Sequence, residues 1–329
     1  MVNREYEKLN TIQQDYYNVF VNGMKEHAVE FLFDENADRM DIFDSYTAAI
    51  FDNPQFFWYS RGIDKWDRMD GKIKVVPKFE TDSQQEKICE QDELFNAYVD
   101  EIVNRAKKYG DEYDRILFIH NYLVYNTEYY DSLPNKYNAY GAIVEHKAVC
   151  AGYAAAFKVL LNKLDIECGI IHGKTERSDD IGHAWNYAKI NGEYCFFDTT
   201  WDDPNFNNSI NRPYEISYDY FAINIAELSR THTVEDKLFV PNCNSNELNY
   251  YNHFGFVSVA YDFERVKKVL SHQAVYRKDV RIRFGSYDEL MKAKSDLLNK
   301  GRLRDLPFIG NKNVDVYTDE KFYVMTFVI

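Results

Sequence analysis

No C-x-x-C pair occurs in this 329-residue chain. Its five cysteines, Cys89, Cys150, Cys168, Cys195 and Cys243, are odd in number and widely spaced. That excludes the usual patterns of a disulfide framework and of a thiolate zinc site. Basic charge is short as well: 39 Lys and Arg face 53 Asp and Glu, leaving a net charge of −14. A surface of that sign repels phosphates and anionic lipid, so no nucleic-acid partner is expected. No apolar run reaches the roughly 20 residues of a membrane-spanning helix, so no membrane insertion is expected. The start, MVNREYEKLNTIQQDYY, holds no apolar signal core. The chain therefore reads as cytoplasmic as it stands, or as secreted or cell-surface if a leader was removed. No H-E-x-x-H and no Gly-rich phosphate loop occurs. The acidic clusters DEYDRI and TWDDPN lack the periodic oxygen ligands of an EF-hand and read as caps and turns. Neither a metal nor a cofactor is expected.

What remains is a globular balance, 45% hydrophobic and 28% charged, over a length that fits two or three domains. YEKLNTIQQDYYNVFVNGMKEHA reads as helix. DSYTAAIFDNPQFFWYS reads as helix, a Pro break, then a short aromatic strand. KIKVVPKFE reads as a strand whose Pro77 suggests an edge. DELFNAYVDEIVNRAKKY is an amphipathic helix with Leu94, Ala97, Tyr98, Ile102 and Ala106 on its expected apolar face. Another helix, DEYDRILFIHNYLVYN, follows. The helix AVCAGYAAAFKVLLNKLDI precedes the β signals of ECGIIHGKT and GHAWNYAKINGEYCFFDTTWDD. The polar, Asn-rich stretch 241–253 reads as a linker. Beyond it, strand and helix patterns predict a small α/β unit (β-α-β-α-β-β).

Two local patterns carry chemistry. Asn191-Gly192 is the preferred centre of a two-residue type I′ turn. That turn sets Ile190 opposite Glu193, Trp185 opposite Asp198, and His183 opposite Thr200. Side chains alternate faces, so His183 and Asp198 become diagonal neighbours on one face, roughly 7–8 Å apart at the backbone. A carboxylate there orients the imidazole and favours its charged form. Cys195 has the opposite parity. Cys150, by contrast, stands at the entrance of its helix, facing unpaired N–H groups and the positive end of the dipole, which favour thiolate. Together Cys150, His183 and Asp198 make a nucleophile, a base and an orienting acid for thiol acyl transfer. The Cys150 N–H is a natural oxyanion donor. The same three residues would suit a metal, but nothing in the sequence adds supporting groups around one.

The segments YGAIVEHKAVCAGYAAAFKVLLNKLDI and GHAWNYAKINGEYCFFDTTWDDP resemble the transglutaminase-like superfamily. The likeness is to its bacterial cysteine-peptidase branch, with C-x-G-[YF]-A, G-H-A-W-N and D-x-T-W-D-D-P. DRILFIHNYLVYNTEYY resembles the segment preceding that core, and the resemblance covers roughly residues 105–235. It implies an α+β fold with a papain-like core, in which a helix bearing the cysteine packs on an antiparallel sheet bearing His and Asp. The expected organisation is an N-terminal mixed region packed on the core (1–104), a catalytic core (105–240) and a small C-terminal α/β domain (254–329). Relatives draw a second oxyanion donor from upstream of the cysteine, where Tyr140 and Asn138 stand. Trp185 and Trp201 flank the three residues as cleft walls or as packing, and Asn186 falls on the opposite face.

The expected function is a peptidase or amidase acting on a protein or peptide substrate through peptide or side-chain amides. Hydrolysis is preferred because water is always available and bacterial relatives are protease-like. Amine transfer, glycan-amidase activity and a non-catalytic interaction scaffold remain the alternatives. The C-terminal unit shows no catalytic constellation and is expected to pack on the core or bind a partner.

Overall fold

The computed structural model describes residues 5–80, 85–176, 182–204, 216–235, 240–310 and 312–329. Its fold is α+β, with helices and mainly antiparallel sheets. By its contacts the chain divides into two units. One comprises Met1–Gly192, Asp198–Thr200 and Val234–Pro241; the other comprises Glu193–Phe197, Trp201–Thr233 and Asn242–Ile329.

The first unit begins with α1 (Thr11–Lys25), started by a capping box. The Asn10 side chain accepts from the Gln13 N–H, and the Gln13 side chain accepts from the Asn10 N–H. Tyr17, Phe20 and Met24 form its buried face. β1 (Phe31–Asp34) follows, then α2 (Arg39–Asp52), whose first turn is capped by Asp38. α2 stops just before Pro54, as the restricted conformation ahead of a proline requires. β2 (Tyr59–Met69) and β3 (Lys72–Phe79) complete a sheet in the order β1-β3-β2.

Pro77 therefore lies on the central strand, not on an edge strand as its missing N–H suggests. Two local features accommodate it. β1 pairs with β3 only as far as Phe31 opposite Val75, so Pro77 has no ladder to serve on that side. On the other side it stands opposite Ile63, where the β2 register is interrupted. A residue without an N–H costs little where the ladder is already broken.

The long helix α3 (Gln85–Ala106) is present, and its inward face is the expected one at Ile102 and Ala106 but not at Leu94 and Ala97. Ile88, Phe95, Val99, Ile102 and Ala106 are buried, whereas Leu94 and Ala97 are exposed. Both stripes have helical spacing. The choice falls to the packing of α3 against α4 (Glu112–Asn126), α5 (Ala139–Ile143) and α6 (Cys150–Lys163). β4 (Glu128–Tyr129) and β5 (Lys147–Ala148) pair in parallel just ahead of α6. β6 (Cys168–Thr175) and β7 (His183–Ile190) pair antiparallel, from Cys168 opposite Ala188 to Gly173 opposite His183. α6 packs on α4 and on both of these strands. It is consequently apolar nearly all round, with Tyr153, Phe157, Leu160 and Leu161 fully buried. Each large aliphatic or phenyl side chain so buried contributes about 1.5–3 kcal/mol. That makes α6 a rigid mount for whatever stands at its first residue.

The second unit pairs β8 (Glu193–Phe197) antiparallel with β9 (Phe221–Ile223). α7 (Ile225–Leu228), β10 (His232–Val234) and α8 (Tyr250–His253) follow in the chain. Then come β11 (Val257–Ser258), α9 (Phe263–Gln273), β12 (Asp279–Phe284), α10 (Tyr287–Lys294), β13 (Asp315–Asp319) and β14 (Val324–Val328). The last four strands form a sheet in the order β11-β12-β14-β13. Val266, Leu270, Ile282, Leu290 and Phe327 are among its fully buried core.

The stretch 241–253, expected as a linker, is packed. Cys243, Asn249, Tyr250 and Tyr251 are buried, and Tyr250 stacks on Tyr218 with centroids 3.8 Å apart. Its asparagines serve local structure: Asn249 caps α8 by accepting from the Asn252 N–H. A buried ion pair joins Glu227 to Arg283 within this unit.

Candidate active site

β7 ends at Ile190 and β8 begins at Glu193. Asn191 and Gly192 between them have φ of 51° and 91°, as a type I′ turn demands. His183 opens β7 and Asp198 stands just past the end of β8. Their side chains meet: His183 Nε2 lies 2.6 Å from Asp198 Oδ2. They are 6% and 1% exposed, so water scarcely screens the pair. The other carboxylate oxygen accepts from the Thr200 N–H at 3.0 Å, which fixes the carboxylate in its plane.

Cys150 is the first residue of α6, and no side chain caps that turn. Its thiol acts on the His183 imidazole and helps to push it upward. Cys150 at the start of α6 and Asp198 just past β8 thus both act on the imidazole that β7 carries. Gly152 makes the approach of the preceding loop possible. A Cβ there would lie 2.6 Å from the Lys136 carbonyl oxygen and 3.0 Å from that of Asn138, so only glycine lets this backbone cross the first turn of α6.

Burial drives the His183 imidazole toward neutrality. The charge of Asp198, its hydrogen bond and the Cys150 thiol outweigh that and raise it from 6.5 to about 10. The folded chain therefore keeps a proton that the unfolded chain has lost. The stabilisation is full below about 6.5 and disappears as pH rises through about 10. Between those limits the urea midpoint should fall with rising pH, and more steeply than in His183→Gln. Equal slopes for the two proteins would mean that the charged ring is not what Asp198 holds.

The other thiols differ. Cys168, Cys195 and Cys243 are buried, and burial first pushes each thiol up, Cys195 to about 12. Only Cys150 and Cys89 are half-buried. Cys150 and His183 both line a cavity of about 760 Å³. Phe51, Phe56, Phe57 and Tyr59 form an aromatic wall of that cavity, with Arg61 and Glu80 as charged members. The Arg61 guanidinium lies over the Phe51 ring at 4.3 Å. None of these wall residues was singled out from the sequence. FFWYS read as an ordinary strand, and no local pattern says that a strand will face a distant cysteine.

The remaining sequence candidates are placed as follows. Asn138 lines the cavity, but its side chain is engaged. Its Oδ1 accepts from the Gly141 N–H, and Nδ2 donates to the Phe57 carbonyl and to Asn135 Oδ1. Tyr140 stacks on Phe57 with centroids 4.6 Å apart and is not part of the cavity wall. Trp185 is buried and stacks on the His183 ring at 5.9 Å, on the face that parity predicts. Trp201 lies in the second unit, packed on Tyr220 and His232. Asn186 is buried and donates to the Ala154 and Gly169 carbonyls.

One hydroxyl was not anticipated. Tyr129 is pushed upward by burial first, then by Cys150, Asp131 and Asp198, so it stays protonated and able to donate. Its only sequence signal was its place in NTEYY, just ahead of the core.

With the geometry established, comparison with known proteins adds a family. Residues 97–199 match the transglutaminase-like superfamily, a span that begins earlier and ends sooner than the resemblance read from the motifs. No curated protein matches. Among solved structures, one described as a TGase is 14% identical with a TM-score of 0.31, over 49% of this chain and 48% of that one. A protein of Cytophaga hutchinsonii, proposed to be a cysteine protease, is 18% identical with a TM-score of 0.28. That alignment covers 44% of this chain and 63% of the other. The chain thus spans about half of the first protein and under two thirds of the second. The family match covers under a third of the chain, and over that stretch the chain is similar to the transglutaminase-like superfamily.

Proposed function

We propose that the protein is a thiol-dependent acyl-transfer enzyme, a peptidase or amidase acting on peptide or side-chain amides. One observation carries this reading. A single buried imidazole is clamped by Asp198 at 2.6 Å and lines the same cavity as Cys150, whose thiol helps to push it upward. In the proposed reaction the Cys150 sulfur attacks the carbonyl carbon while its proton resides on His183 Nδ1. The C–N bond breaks and His183 delivers that proton to the departing amine. Water, deprotonated by His183, then attacks the thioester and frees Cys150. Asp198 keeps the ring oriented and stabilises its charged form throughout. The Cys150 N–H supplies one oxyanion donor, and Tyr129, which feels the charge of Cys150 and Asp198, is a candidate for another.

Hydrolysis and amine transfer share the acyl-enzyme, so one experiment addresses both. The protein is incubated with a peptide-amide library, with and without a primary amine, and both Cys150 and the products are examined by mass spectrometry. An acyl adduct on Cys150 and a free-acid product are expected. A predominant amine conjugate would identify a transferase. Absence of any adduct, with iodoacetamide labelling Cys150 no faster than in the unfolded chain, would leave only a scaffold.

A further inference from the structure

A second Cys-His-Asp constellation lies away from this site, within the first unit. Cys89 and Asp92 are one turn apart on α3 and so share a face. His27, just past α1, meets both. Its Nε2 is 2.9 Å from Asp92 Oδ2 and its Nδ1 is 3.6 Å from Cys89 Sγ. As at His183, Nε2 is the nitrogen that meets the carboxylate.

The arrangement is held from several sides. Asn96 Nδ2 donates to the other Asp92 oxygen at 2.8 Å. The Trp58 ring leans on the imidazole with centroids 5.1 Å apart. His27 has a left-handed φ of 55°, an uncommon conformation for a residue with a side chain, and its N–H donates to the Met24 carbonyl. The His27 and Asp92 side chains are 20% and 24% exposed and Cys89 is half-buried, so a small solute can reach the sulfur. Cys89 does not line the cavity beside Cys150, which points away from a peptide substrate. Glu86, Glu90 and Glu93 on the same helix and Glu26 beside His27 are exposed, against exposed Lys25 and Lys87, and this net negative charge favours a cationic reagent over an anionic one.

We propose that Cys89 is a second reactive thiol, poised for thiol–disulfide exchange with a small, positively charged disulfide. His27 takes the thiol proton and Asp92 steadies the imidazolium. The Cys89 sulfur attacks one sulfur of the disulfide, forming a mixed disulfide as the original S–S bond breaks. The departing thiolate takes the proton from His27 and leaves as a thiol. One thiol and one disulfide are consumed, one of each is formed, and no other oxidant is needed. The site is independent of the acyl-transfer reading, because it uses neither Cys150 nor His183.

The test uses full-length Cys150→Ala protein and cystamine at neutral pH, followed by peptide mapping. One cystamine half should appear on Cys89, at least about tenfold faster than in the urea-unfolded protein. Glutathione disulfide, which is anionic, should react more slowly. His27→Gln should slow the exchange about tenfold or more, with the thermal midpoint reported alongside. Asp92→Asn serves as the second variant if His27→Gln does not fold. Cys89 reacting no faster than in the unfolded chain, or at an unchanged rate in both variants, would overturn the proposal. A faster reaction with glutathione disulfide would overturn the assigned ligand charge.

Discussion

Cys150→Ala is expected to lower kcat/KM on a peptide amide by about 10⁴–10⁶-fold, the range seen when a nucleophile that works as a unit with its base is removed. No other thiol can take its place in this reaction. Cys168, Cys195 and Cys243 are buried with their thiols pushed up, and Cys89 does not line the cavity. Stability should change little, by about 1 kcal/mol or less, because the side chain is small and half-buried. Parallel measurement of turnover and urea unfolding separates the two effects. A variant that keeps a tenth of its activity while folding normally would show that the sulfur is not the nucleophile.

Asp198→Asn is the second large effect, and its sign follows from hydrogen-bond direction. One carboxylate oxygen accepts from the Thr200 N–H and the other from the His183 ring. An asparagine has only one oxygen. If that oxygen keeps the Thr200 bond, the NH₂ group faces Nε2. The ring must then accept at Nε2 and carry its proton on Nδ1, so Nδ1 can no longer receive the proton of Cys150. The opposite flip sets two donors face to face at Thr200. Either way the clamp is lost at modest cost in volume. The expected drop in kcat/KM is roughly 10²–10⁴-fold. The His183 imidazolium should also be less persistent at high pH, since the charge of Asp198 is the leading upward influence on it. Unchanged turnover in Asp198→Asn would restrict Asp198 to a packing role.

The site was legible to unequal degrees. The His183–Asp198 pairing could be counted out from Asn191-Gly192, because the register of a two-residue turn is local and alternation is strict. Cys150 could be seen as a helix entrance from the change in periodicity at AVCAG. The inward stripe of α3 was misjudged by about one position, since Leu94 and Phe95 both fit a helical period and only neighbours choose between them. Pro77 was assigned an edge strand on a sound rule, yet an interrupted ladder accommodates it on a central one. Tyr140 and Asn138 stood at the right place in the sequence, but one is committed to ring stacking and the other to local hydrogen bonds.

By itself, the sequence determined the helices, the turn and the shared face of His183 and Asp198, because each depends on residues within a few positions of one another. It also settled the odd number of cysteines and the acidic balance. Tertiary structure alone decided what those local pieces meet. It brings Cys150 and His183 into the wall of one cavity, lays Phe51, Phe56, Phe57 and Tyr59 along that cavity, and closes His27 on a helix more than sixty positions away. Those meetings are selected by how buried faces pack and by which close approaches a glycine such as Gly152 permits. Neither leaves a period in the chain to be read.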